Sequence, residues 1–494
     1  MLTSSSKQVA GMLRGKGLLR ESAFIAGHWR EAAQTIPVFD PATEELIGSV
    51  PDVGAAGTED AVAAAKSAYP GWKSLTAQAR GSLLRAWADL MTSHRSDLAT
   101  LMVLEQGKPF QEAAAEVDYA ASFVYWFCEE AARAYGDVIP GHREGFGLTV
   151  QREPVGVAVA VTPWNFPLAM ITRKAAPALA AGCPMIVKPS ELTPFSALAL
   201  AKLASEAGIP AGVFSVVTGQ PEPIGRVFTD HPDIRKFSFT GSTRVGAALA
   251  ARCMASVKRV SLELGGNAPF FVFDDADLDA AADGLMASKF RNAGQTCVCA
   301  NRIYVQRPVY DRFLKAATER VAQLKVGSGL QEGVTQGPLI DRRAVEKVSR
   351  HVEDALASGG RLCLGGKAKD GPGHFFEPTL IADVSPDALV CREETFGPLA
   401  AIVPFDTEEE AIELANGTQA GLAAYFFSEG HRRIRRVSDA LQSGMVGVNT
   451  GAISTAVAPF GGVKQSGIGR EGSKYGIDEY LELKLVCDAY ASSR

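Results

Sequence analysis

Five short runs between residues 157 and 262 restrict this chain to few folds. Residues 157–161 (VAVAV), 185–187 (MIV), 213–217, 236–239 and 259–262 are built largely from β-branched and apolar residues. Helical stretches separate most of them, as with 196–207, which ends at Gly208 with Pro210 beyond. Apolar strands that alternate with helices form a parallel sheet covered on both faces. Ligands of such sheets bind beyond the carboxyl ends of the strands. The residues that follow each run are therefore the first candidates for a site.

Those residues are polar and Gly-rich. The first run leads into Thr162-Pro163-Trp164-Asn165-Phe166-Pro167, the second into Lys188-Pro189-Ser190-Glu191 and the third into Thr218-Gly219. The fourth ends in Thr240-Gly241-Ser242-Thr243, which opens a helix, and the fifth in Glu263-Leu264-Gly265-Gly266-Asn267. Gly241-Ser242 at a helix start presents backbone N–H groups and the positive helix end to a pyrophosphate, although the strict G-x-G-x-x-G spacing is absent. Glu191 can accept from both hydroxyls of a ribose and repels a 2′-phosphate, which favours NAD over NADP; Lys188 and Ser190 beside it would help a phosphate. A plain helix N-terminal acid is the alternative for Glu191.

A second concentration of chemistry lies at 290–302, FRNAGQTCVCANR. A helix-like run rich in Ala, Leu and Met feeds into it, and Arg302-Ile303-Tyr304-Val305 leaves it as a strand. A nucleophilic cysteine must be reachable and its thiolate tolerated, and Cys297 in this loop meets the first need. The alternative is a half-buried thiol that only packs. Cys299 is either a bystander or the partner in a disulfide that blocks Cys297 under oxidation.

At 494 residues the chain needs two or three domains. Its 47% hydrophobic and 21% charged residues suit a globular protein with much to bury. A net charge of −5 argues against nucleic acid or an anionic membrane as partner, and no apolar stretch approaches the ~18–20 residues of a membrane span. The eight Cys are scattered, which suits a reducing, cytoplasmic setting, and no Cys/His spacing suggests a metal. Residues 1–20 carry four basic residues and no acid, and are expected to be a flexible tail. Helices are expected through 83–91, up to Gly107, and across 111–135, after a small antiparallel edge at 24–51. Residues 147–151 alternate like an exposed strand, expected to pair with another subunit or with the end of the chain.

Taken together, TPWNFP at Thr162, LELGG at Leu262, GQTC at Gly294 and EETFGP at Glu393 resemble the aldehyde dehydrogenase superfamily, in order and from about Phe24 to the C-terminus. The resemblance implies an α/β fold with a Rossmann-type cofactor domain (21–135 and 155–266), an α/β catalytic domain (267–478) and a small bridging β-domain (136–154 and 479–494). The bridging domain would join subunits into a homodimer or homotetramer. Cys297 matches the family's nucleophile, Glu263 its general base and Asn165 its oxyanion donor. Trp164, Lys188, Glu191, Gly241, Ser242, Glu394 and Phe396 match positions that hold NAD or NADP, and Ser190, Gly219 and Leu264 join them from the same strand ends.

Substrate choice has its own signal. Arg291 precedes Cys297 by six residues, and Arg173 lies two helical turns after Asn165. Two guanidiniums converging near a nucleophile would clamp a carboxylate, and Ser454 would add a hydroxyl; each Arg taken alone also suits an ordinary ion pair. PLAMITRK, residues 290–302 and PFGGVKQSGIGREGSKYG from Pro459 resemble the succinate-semialdehyde dehydrogenases. That resemblance implies oxidation of succinate semialdehyde to succinate, the last step of 4-aminobutyrate breakdown. Glutarate semialdehyde is the nearest competitor, since one methylene is discriminated only about 10–200-fold. A cysteine-dependent esterase or thioesterase, or a non-catalytic scaffold, is the rival from another class. Glu394 and Phe396 weigh against both, because hydrolysis alone needs no nucleotide contacts. A CoA-acylating enzyme would have no use for the water-activating Glu263.

Overall fold

The computed structural model describes residues 4–490. Among them, the strands form two large sheets and two small ones. The first large sheet runs in the order Gly467–Ile468, Arg259–Glu263, Ile234–Thr240, Val157–Val161, Met185–Lys188, Phe214–Val216, Ala23–Ile25, His28–Arg30. Its five central strands are parallel; they are the five apolar runs, displaced by a residue or two at their ends. Helices Ala169–Ala181 and Pro194–Glu206 are mostly buried, as a sheet covered on both faces requires. The second sheet orders Arg361–Leu364, Thr379–Ala382, Leu399–Phe405, Ala300–Gln306, Ala268–Val272, Ala423–Phe427, Met445–Val448, parallel except at its first pair.

Helices Ala77–Ser93, Arg95–Gln106 and Phe110–Glu130 match the expected trio. The second of them ends at Gly107 in the left-handed region (φ 93°), and the third is shorter than expected, passing into a 3₁₀ turn at Ala131–Arg133. The strand Phe146–Pro154 does pair with the end of the chain: Leu481–Ala489 runs antiparallel to it over its whole length, with Asp137–Ile139 on the other side. This ribbon exposes Val138, Leu483 and Leu485.

Two expectations are corrected. Residues 4–20 are no flexible tail: Ser4–Met12 is helical, Ser6, Val9, Leu18 and Leu19 are buried, and the N–H groups of Arg14 and Gly15 donate to Asp97 at 2.9 and 2.8 Å. Val9, Leu18 and Leu19 and the carboxylate of Asp97 dock the segment, whatever its basic charge. The chain also leaves the second sheet earlier than residue 478, since Ala456, Ile477 and Tyr480 pack in the first core and Gly467–Ile468 extends the first sheet beside Glu263.

Candidate active site

Cys297 is aimed by a sharply folded entry. Helix Leu278–Leu285 runs into a π turn at Met286–Phe290 and then a short turn in which Asn292 and Ala293 have φ 53° and 52° and Gly294 has φ 74°. Three left-handed residues in a row are costly and persist only where the surroundings hold them. Here Asn292 N donates to Glu112 Oε2 (2.8 Å), Asn292 Nδ2 to Asn165 O (3.0 Å), and Gln295 Oε1 accepts from Ile340 N (2.9 Å). A side chain at Gly294 would meet the carbonyl oxygen of Gly397 at 2.2 Å. The outcome is a largely buried, partly accessible Cys297 beside a buried Cys299.

The amide of Asn165 stands against the same loop. Its Nδ2 donates one N–H to Gln295 O at 3.0 Å, which leaves the second free. Its backbone carbonyl accepts from Lys108 Nζ at 2.8 Å and from Asn292 Nδ2 at 3.0 Å, while its side-chain Oδ1 has no partner among the described residues. Glu263 ends strand Arg259–Glu263, 3% exposed, and its Oε2 has no partner among the described residues. Burial and the nearby Glu471 push the Glu263 carboxyl well above the usual carboxylate range, against Arg173, Lys174 and Arg470. Burial also pushes the Cys297 thiol up to about 12, with Arg173 pulling it down and Glu394 and Glu263 adding to the rise. The rise favours the thiol over the thiolate, so Sγ calls for a base beside it.

Cys297 sits between two cavities. One, of about 360 Å³, is lined by Trp164, Asn165, Gly241, Ser242, Leu264, Glu394 and Phe396 together with Lys347 and Arg343. Ser242 begins helix Thr243–Met254, so the positive helix end faces this space. Phe396 is held at φ 58° with its ring edge-on to Trp164 at 5.6 Å. Glu394 Oε1 accepts from Gly266 N at 3.1 Å, and burial pushes its carboxyl up to about 7. A phosphate-ready helix start at one end and a hydroxyl-binding acid at the other fit a dinucleotide. Lys188, Ser190, Glu191 and Gly219 lie outside that lining, at the ends of the adjacent strands Met185–Lys188 and Phe214–Val216. Lys188 and Glu191 are paired at 2.8 Å.

On the other side of Sγ, a constricted space of about 20 Å³ brings Arg173, Arg291 and Ser454 together with Cys297, Tyr119, Phe166, Met170 and Phe460. Arg291, Thr296, Val298 and Ser454 also line a vestibule of about 520 Å³. Ser454 Oγ is hydrogen-bonded to the Tyr119 hydroxyl. Arg173 is 1% exposed, stacks on Phe460 at 3.8 Å and pairs through Nε with Glu471, while its Nη2 has no partner among the described residues. Arg291 is exposed at the mouth and lies over Phe166 at 5.0 Å. Cys299 turns away, its Sγ directed at Lys289 O (3.5 Å), and both thiols are free.

Sequence reasoning missed Glu471, which pairs with both Arg173 and Lys174 next to Glu263, and Tyr119; Glu471 lies within the segment that begins at Pro459, but was given no role there. Among the described residues, no group of three or more His, Cys, Asp or Glu is arranged for a metal, and no helix is long and apolar enough to cross a membrane.

Residues 29–486 match the model of the aldehyde dehydrogenase family. This chain belongs to that family. It is 56% identical over 477 residues to succinate-semialdehyde dehydrogenase [NADP(+)] of Escherichia coli, covering 96% of this chain and 99% of the relative. A glutarate-semialdehyde dehydrogenase of Pseudomonas aeruginosa is also 56% identical, with the same coverage of both chains. The crystal structure of succinate-semialdehyde dehydrogenase from Burkholderia pseudomallei superposes with a TM-score of 0.96 at 54% identity, over 97% of this chain and 99% of the other. The protein is an aldehyde dehydrogenase, with the mixed α/β architecture of that family.

Proposed function

We propose that this dehydrogenase oxidises an aldehyde bearing a distal carboxylate, succinate semialdehyde first and glutarate semialdehyde close behind, to the dicarboxylate. The carrying observation is that Arg173, Arg291 and Ser454 share one small space with Cys297. The acids of the adjoining vestibule are committed elsewhere, Glu112 to Asn292 N and Asp283 to Arg320 at 2.6 Å. A carboxylate entering there meets two guanidiniums and a hydroxyl pair, and the charge-assisted bonds it makes are the strong kind. The relatives' names, succinate- and glutarate-semialdehyde dehydrogenase, support the same substrate class.

In this proposal Cys297 Sγ bonds to the aldehyde carbon while its proton passes to Glu263, whose buried carboxylate favours being protonated. The free N–H of Asn165 and the backbone N–H of Cys297 receive the oxyanion; one such donor is worth about 10²–10³-fold in rate. NAD or NADP, when bound, would supply the acceptor for the hydride that leaves the substrate carbon, so that the adduct on Cys297 is left as a thioester. Once Glu263 has released that first proton to solvent, it takes another from the water that attacks the thioester, and the acyl–sulfur bond breaks to return Cys297 and free the dicarboxylate. Trp164, Gly241, Ser242, Leu264, Glu394 and Phe396 would hold the dinucleotide, with Lys188, Ser190, Glu191 and Gly219 at its outer end. The preference for NAD expected from Glu191 is tempered, because Lys188 already neutralises that carboxylate. NADP is therefore accepted as well. A second copy of the chain is proposed to cover the exposed apolar ribbon around Leu483 and Leu485.

Absorbance at 340 nm with succinate semialdehyde or propanal, each with NAD or NADP, tests the substrate claim. Succinate semialdehyde should exceed propanal in kcat/KM by about 10²-fold, as two charged hydrogen bonds warrant. Equal values would remove the clamp and leave the dehydrogenase.

A further inference from the structure

Lys108 follows Gly107 at the end of helix Arg95–Gln106 and lines neither cavity, yet its side chain is only 1% exposed. Its ammonium pairs with Glu116, itself fully buried, lies 4.1 Å above the ring of Phe166, and donates to the carbonyl of Asn165 at 2.8 Å. Glu116 Oε1 accepts from the N–H groups of Leu168 and Ala169 at 3.0 and 3.3 Å, at the start of helix Ala169–Ala181. One ion pair therefore grips the Thr162–Phe166 loop and the first turn of the helix behind it. Asn292, from the cysteine loop, donates to the same Asn165 carbonyl at 3.0 Å, and its own N–H is held by Glu112.

Burying two charges carries a large desolvation penalty, and apolar residues of the same volume hold helices together as well or better. Packing alone does not account for the pair. What apolar residues do not supply is a donor to the Asn165 carbonyl and an acceptor for two helix-start N–H groups. With that backbone carbonyl held from two sides, the Asn165 peptide is fixed in place, and its Nδ2, which donates to Gln295 O at 3.0 Å, is carried on an anchored backbone. We propose that Lys108, working with Glu116, is a positioning residue that aims the Asn165 amide at the developing oxyanion. The inference rests on the oxyanion role given to Asn165 above. A donor of that kind helps only when it is held to a few tenths of an ångström.

The test compares four proteins: the parent, Asn165→Ala, the pair Lys108→Met/Glu116→Gln, and the triple variant. Glu116→Gln keeps an acceptor for Leu168 and Ala169 and removes the charge that Lys108→Met alone would strand. After thermal denaturation establishes that each is folded, the single-turnover rise at 340 nm is measured at saturating aldehyde and cofactor. The paired variant should be slowed about 10–100-fold, as for a displaced group, with KM for the aldehyde within about threefold. Added to Asn165→Ala, the same pair should slow the reaction less than about threefold further, because contacting residues that act through one group are not additive. The full slowing in the Asn165→Ala background, or a parental rate in the folded pair, would overturn the proposal. A parental rate in Asn165→Ala itself would instead remove the oxyanion role, and the inference with it. If the pair does not fold, Lys108→Arg, which keeps the charge but displaces the donor, carries the same comparison.

Discussion

Gly266→Ala is the smallest change that reaches the nucleophile through the backbone. An added Cβ would lie 2.2 Å from the carbonyl oxygen of Cys297, and carbon atoms essentially never come closer than 3.0 Å, so that carbonyl must retreat by 3.0 − 2.2 = 0.8 Å. Gly266 is not among the residues with positive φ, so alanine brings no backbone strain of its own. Sγ belongs to the residue whose carbonyl moves, and it must keep its place between Asn165 and the cofactor cavity. A misplacement near 1 Å costs about 10²-fold in a reaction that depends on alignment, equivalent to about 2.7 kcal/mol of activation free energy. Stopped-flow absorbance at 340 nm in a single turnover reads this step, with a melting curve as the control for folding. A folded Gly266→Ala protein that reacts within threefold of the parent would show that the placement of Cys297 tolerates the shift, and the geometric account of the site would fail.

Three further outcomes are expected. Arg291→Met should lower kcat/KM for succinate semialdehyde about 10–100-fold, the worth of a charged hydrogen bond, and leave propanal unchanged; a parallel loss with propanal would mean general damage. Burial pushes Glu394 up to about 7, and only the ionised form accepts from hydroxyls without giving up a lone pair. Cofactor affinity by calorimetry should therefore fall as pH drops through 7 and level off above it, with Glu394→Gln showing no such slope; a parent as flat as the variant would refute the assignment. Cys299 is buried whereas Cys297 is partly exposed, so oxidation should begin at Cys297 and be captured by Cys299. In Cys299→Ala, peroxide inactivation should no longer be fully reversed by dithiothreitol, and an unchanged recovery would rule the disulfide out.

Asn165 was legible because it follows the strand 157–161 at the ligand edge of a parallel sheet, and Cys297 because it sits in a polar loop between a helix and a strand; Glu394 rested on the resemblance carried by EETFGP. Arg173 was placed in the right space, but its pairing with Glu471 was not visible, since the partners of that cluster are almost 300 residues apart (297 between Lys174 and Glu471). Lys108 and Glu116 escaped for a related reason: a lysine next to Gly-Pro residues reads as a solvated turn, and only tertiary packing buries it. The docking of residues 4–20 depended on Val9, Leu18 and Leu19 finding a groove, information that local composition does not carry. The return of Ala456, Ile477, Tyr480 and Leu481 to the core of the first sheet likewise follows from long-range contacts and not from any periodicity.

The central claim is that one thiol carries the substrate between two steps, with Glu263 needed to finish the second. Glu263→Gln, mixed with succinate semialdehyde and cofactor and followed at 340 nm, should give a rise slower than the parent's, because the first proton transfer is lost as well, that matches the number of active sites and then stops, and mass spectrometry of the quenched protein should find one succinyl group on Cys297. Sustained turnover at the parental rate, or a succinyl group on any other residue, would contradict it.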